Sequence, residues 1–173
     1  MESKLVIAFV ESVQDVFRTM LRAPVQVGKP RLERGTAQRA DVSAIIGVTG
    51  MYSGAIGLSL SADVAIALVE RFTGQRYELK HPDFGDAVGE LTNMIAGGGK
   101  SRISTGQTMI SCPSVIIGRD HSVSQPRNHP TVVIPFMTAY GDFQVEVVLR
   151  RAAESPVSHA ASQADGVTMS AKA

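Results

Sequence analysis

The sequence predicts an α/β protein of the α+β kind: a single pseudo-two-fold domain, with a mostly antiparallel sheet and long helices packed on one face. Three observations lead there. Residues 4–22 and 83–104 carry apolar side chains at helical spacing, and residues 41–60 and 131–149 read as two strand pairs. The two halves also repeat one order: a long helix, a short strand, a glycine turn (Gly28, Gly118) and a hairpin with its own glycine (Gly54, Gly141).

The first helix places Leu5, Phe9, Val13, Val16, Phe17 and Met20 on one side, and Pro24 closes it. Val25 and Val27 alternate before Gly28-Lys29-Pro30 turns the chain. Residues 41–48 and 54–60 are predicted strands joined through Thr49-Gly50-Met51-Tyr52-Ser53. Ser61 or Asp63 caps a second helix, which buries Val64, Leu68 and Phe72 and ends at Gly74. After the helix over 83–104 come short strands at 109–112 and 115–117, then a polar, proline-containing loop over 119–130. Strands at 131–138 and 143–149, turned at Tyr140-Gly141-Asp142, complete a domain spanning residues 1–151. Residues 152–173 are small, polar and aperiodic, the composition of a disordered tail.

Seventeen basic residues against sixteen acidic leave a net charge of +1 without a basic cluster, which argues against a nucleic-acid partner. No apolar run reaches the ~20 residues of a membrane span, and the short N-terminal apolar stretch ends at Glu11 without a cleavage site. One cysteine, Cys112, excludes an internal disulfide and fits a reducing, cytoplasmic location. Lying at a strand end with no nearby histidine, it reads as a small core residue. The four histidines sit at no metal-ligand spacing.

The helix over 83–104 is the informative element. At about 100° per residue, Asp86, Glu90, Asn93, Gly97 and Lys100 share one stripe, opposite Phe84, Val88, Leu91 and Ile95. Gly97-Gly98-Gly99-Lys100-Ser101 is not a phosphate loop: the required upstream glycine is Met94, and a helix runs in where a strand is needed. Close contact with a neighbouring helix accounts for the glycines better. An exposed mid-helix Asn is unusual, since Asn forms helix less readily than Lys, Glu or Gln. A solvated charge beside an incidental amide is the simplest account of Glu90 and Asn93. The alternative is chemical: an amide both donates and accepts hydrogen bonds, which suits it to orient a water molecule in phosphoryl transfer.

The stretch Asp86-Ala-Val-Gly-Glu90-Leu-Thr-Asn93-Met-Ile-Ala-Gly97 resembles the signature helix of the CheX-type chemotaxis phosphatases, within the CheC/CheX/FliY group. The resemblance covers about residues 4–150. It implies hydrolysis of the aspartyl phosphate of a phosphorylated CheY-type response regulator. Asn93 would orient the attacking water and Glu90 would pair with the regulator's lysine. The regulator would bind the Mg²⁺, so this chain would need no cofactor of its own, and the protein would form a homodimer. The first-half counterpart, Glu11-x-x-Gln14, lacks the flanking signature and is not expected to form a second site. The rival implied by the same resemblance is a non-catalytic adaptor module in two-component or flagellar-switch signalling.

Overall fold

The computed structural model describes residues 3–35, 38–103, 107–123 and 130–151. The tail proposed for 152–173 lies outside them. Three helices, α1 (Ser3–Val16), α2 (Ala62–Thr73) and α3 (Pro82–Ile103), cover one face of an antiparallel sheet. Its eight strands are β1 (Gln26–Val27), β2 (Arg31–Glu33), β3 (Gln38–Gly50), β4 (Tyr52–Leu60), β5 (Thr108–Ile110), β6 (Ser114–Val123), β7 (Thr131–Thr138) and β8 (Gly141–Arg151). The core lies between the layers: Phe9, Phe84, Ile46, Ile56, Ile134 and Phe136 are almost wholly buried. Apolar side chains of β3, β4, β7 and β8 alternate toward it, so the strand period of two and the helix period of 3.6 meet there.

The pseudo-two-fold symmetry is present with an exchange between the halves. Strand β3 pairs with β4, and also with β5 and β6 of the second half. Strand β7 pairs with β8, and also with β1 and β2 of the first half. The pseudo-axis passes between β4 and β8, paired from Tyr52↔Arg151 to Leu60↔Phe143.

Several boundaries differ from the sequence reading. The first helix becomes a π-helical turn over Phe17–Leu21, where Arg22 enters the left-handed region at φ 49° and the guanidinium of Arg71 bonds the carbonyls of Leu21 and Arg22. Strand β2 was not expected, and β3 is longer than 41–48. Residues 119–123 are strand β6 rather than loop, because their backbone completes the ladder with β3 whatever their side-chain polarity. Gly118 accordingly sits within a strand and not at a turn. The β3–β4 turn glycine is Gly50, at φ 104°. Gly54 lies inside β4, where a side chain would collide with the carbonyl of Val148. A bulge between Ala40 and Val42 frees Asp41 from the ladder. Its carboxylate accepts from the N–H of Ala62 at the start of α2 and from the N–H of Asp120 in β6. Those two backbone donors hold its pKa below the ordinary value, in that order of effect; partial desolvation opposes them, and the charges of Arg119 and His121 assist.

Candidate functional site

Helix α3 begins with Pro82, whose missing N–H costs nothing in the first turn. The ring Nδ1 of His81 accepts from the N–H of Asp83 at 3.2 Å, serving as the cap, and the ring stacks on Tyr77. Asp83 in the first turn and Lys100 and Arg102 in the last complement the helix dipole.

Packing fixes the rotation of the helix. Phe84, Val88, Leu91 and Ile95 enter the core. On one flank α1 approaches closely: a Cβ on Gly98 would overlap the Ser12 hydroxyl, and one on Gly99 the Phe9 ring. Ser12 donates to the carbonyl of Ile95 at 2.7 Å, and Arg102 pairs with Glu11 (3.3 Å) and with Asp15. On the other flank Gly89 lies against Pro113, whose Cγ would stand 3.1 Å from an added Cβ, and Gly85 lies near Ile117. The glycines at 98 and 99 are therefore contact points for a neighbouring helix, as the sequence suggested.

What remains outside is the stripe of Asp86, Glu90, Asn93, Gly97 and Lys100. Glu90 is exposed and Asn93 half-buried. Neither side chain makes a hydrogen bond or ion pair with another described residue. They stand one turn apart on one face, a carboxylate that can receive a cation beside an amide that can hold a water. Clefts of about 410 Å³, between β3, β6 and β8, and about 440 Å³, beside Gln14 and Pro24, are lined by neither residue. A carboxylate and an amide on an outward helix face, outside these clefts, suit contact with another molecule better than enclosure of a small one.

The first-half counterpart differs. The Glu11 carboxylate is engaged by Arg102, while Gln14 is exposed. Cys112 is exposed, contrary to the core position expected of it. It falls in the short link between β5 and β6, where the neighbouring Pro113 provides the packing against α3. The roles of Arg102 and Pro113 in setting α3 left no sequence signal, since their partners are remote along the chain. Of the histidines within the described residues, His121 bonds Ser43 and the Gly118 carbonyl, away from the α3 stripe.

An antiparallel sheet covered on one face by three helices is a fold seen among chemotaxis proteins. A putative chemotaxis protein from Desulfovibrio vulgaris Hildenborough superimposes with a TM-score of 0.78 at 35% identity, covering 84% of this chain and 96% of that one. The chemotaxis protein CheX from Desulfovibrio desulfuricans gives 0.76 at 32% identity, covering 86% and 99%. A CheY-P phosphatase CheX from Thermotoga maritima is 29% identical over 123 residues, 69% of this chain and 79% of the relative. The family model described as chemotaxis phosphatase CheX matches residues 42–137. This chain belongs to the CheX family.

Proposed function

We propose that this protein dephosphorylates a phosphorylated CheY-type response regulator. The supporting observation is the Glu90–Asn93 pair, presented on the outward stripe of α3 with no partner among the described residues, in a chain of the CheX family. The Thermotoga relative, a CheY-P phosphatase by name, supports the same activity here.

In this reading α3 enters the cleft around the regulator's aspartyl phosphate. The Asn93 amide accepts from and donates to a water, holding its oxygen in line with the phosphorus–oxygen bond to be broken. The water attacks phosphorus, the bond to the aspartyl oxygen breaks, and inorganic phosphate leaves a free carboxylate on the regulator. Glu90 pairs with the regulator's lysine and so fixes the register of insertion. Mg²⁺ belongs to the regulator; the part played by this chain is positional. A homodimer is included in the proposal, and sedimentation velocity would detect it.

The test follows acyl-phosphate decay on a panel of receiver domains, phosphorylated by a small phosphodonor with Mg²⁺ and freed of donor. Wild type is expected to accelerate decay on at least one, and Asn93→Ala to lose ~10²-fold or more while still binding. Glu90→Ala should weaken both binding and turnover. Undiminished turnover by Asn93→Ala would overturn the mechanism, and binding without acceleration by wild type would favour the adaptor role.

A further inference from the structure

The three consecutive glycines of α3 do not share one explanation. Gly98 and Gly99 are demanded by α1, because any Cβ there enters the space of Ser12 or Phe9. Gly97 is different: a Cβ built on it meets no atom within 4 Å. Nothing in the described residues needs that position bare, and a mid-helix glycine costs about 1 kcal/mol relative to alanine. Its backbone is ordinary helix, so no left-handed conformation requires it either. Folding alone would favour alanine at 97.

The position is also not arbitrary. Gly97 lies four residues beyond Asn93 on the presented stripe, about 6 Å along the helix axis. Asn is a short side chain. For its amide to reach a group recessed in a cleft, the helix backbone must come down to the rim of that cleft. A side chain one turn away on the same stripe would meet the rim first and hold the amide out.

We propose that Gly97 is a docking notch that sets how deeply Asn93 inserts: the rim of the phosphorylation-site cleft of the regulator packs directly on the α3 backbone at this point. The inference rests on the phosphatase reading above and adds a positioning residue to it. Gly97 touches neither the water nor the phosphoryl group; it governs the approach of the residue that does.

The prediction inverts the usual relation between stability and activity. Gly97→Ala and Gly97→Leu both introduce good helix formers into open space, so both should melt at or above the wild-type temperature. In the decay assay, on a regulator that wild type dephosphorylates, Gly97→Ala should raise KM several-fold and Gly97→Leu should lower kcat/KM by ~10²-fold. Binding to the same regulator held in its phosphorylated state by beryllofluoride should weaken in the same order. If Gly97→Leu turns over within twofold of wild type, the notch is wrong and the phosphatase reading stands. If both variants lose activity only in proportion to lost melting temperature, Gly97 serves the fold, and the notch is equally wrong. If wild type accelerates no regulator, the phosphatase reading fails and takes the notch with it.

Discussion

Replacing Gly99 by alanine tests whether contact with α1 is what holds α3 in place. An ideal Cβ at 99 would fall among three atoms of the Phe9 ring, with Cζ at 2.8 Å and Cε1 and Cδ1 nearer still. Carbon atoms in contact prefer about 3.5–4.0 Å, so the ring must retreat by roughly an ångström. Phe9 has no exposed surface, so it can only move into its neighbours in the core. Overpacking of that kind costs about 1–3 kcal/mol. The gain in helix propensity returns up to about 1 kcal/mol. Since the collision involves a ring and no flexible chain end, we expect a net loss of about 2 kcal/mol. For a domain of this size that lowers the melting temperature by roughly 4–8 °C. Circular dichroism melts and urea titrations would measure it, with Gly97→Ala as the contrasting variant expected to gain about 0.5–1 kcal/mol. A double variant, Gly99→Ala with Phe9→Leu, should recover part of the loss by giving the new methyl room, a coupling that a double-mutant cycle reads directly. A Gly99→Ala protein as stable as wild type would refute the close helix contact and, with it, the account of how α3 is aligned.

Three further outcomes are expected. His81→Ala should lose about 1 kcal/mol by leaving the Asp83 N–H without its acceptor, and His81→Asn should restore it, both read from urea unfolding. Removing Arg102 by substitution with methionine should lower stability by about 1 kcal/mol or less, an effect shrinking in high salt, because its ion pairs with Glu11 and Asp15 are partly exposed. Asp41→Asn should show a pH signature. The folded carboxyl titrates below its ordinary 3.8, so its charged form favours the fold at higher pH, and that stabilisation is lost as pH falls through the folded value. Wild type should therefore melt above Asp41→Asn at pH 7, and the two curves should converge below about pH 3.8; a gap that persists in acid would argue against the carboxylate's role.

Much of this molecule was legible in its sequence, and the gaps have definite causes. Periodicity located α1, α2 and α3 and both hairpins, because a helix or strand packed against a core must repeat its apolar residues at its own period. The cap at Ser61 and the stop at Gly74, at φ 75°, were readable because helix ends require particular side chains or a left-handed residue. Residues 119–123 read as loop from sequence because Arg119, Asp120, His121 and Ser122 have little strand propensity, while their ladder with β3, and the His121–Ser43 and Arg39–Asp120 contacts beside it, join segments remote in the chain. Isolated cysteines are usually buried, but the position of Cys112 in the three-residue link between β5 and β6 leaves it outside. Gly54 looks like a turn residue in the sequence, but its role is to let β8 pass close to β4.

The sequence by itself determined which side of α3 is offered outward. That follows from one segment's own pattern of apolar and polar residues, and it was sufficient to single out Glu90 and Asn93. Tertiary structure alone decided what each residue of that helix meets. It placed β1 and β2 on β7 and β5 and β6 on β3, an exchange of ladders between segments remote in the chain, which local periodicity does not report. It committed Glu11 to Arg102, residues far apart in the chain, and left Glu90 without such a partner among the described residues. It also separated three identical neighbours, with Gly98 and Gly99 pressed against α1 and Gly97 open to the outside. Local periodicity reports how much of a segment is covered; only the packed molecule reports by what.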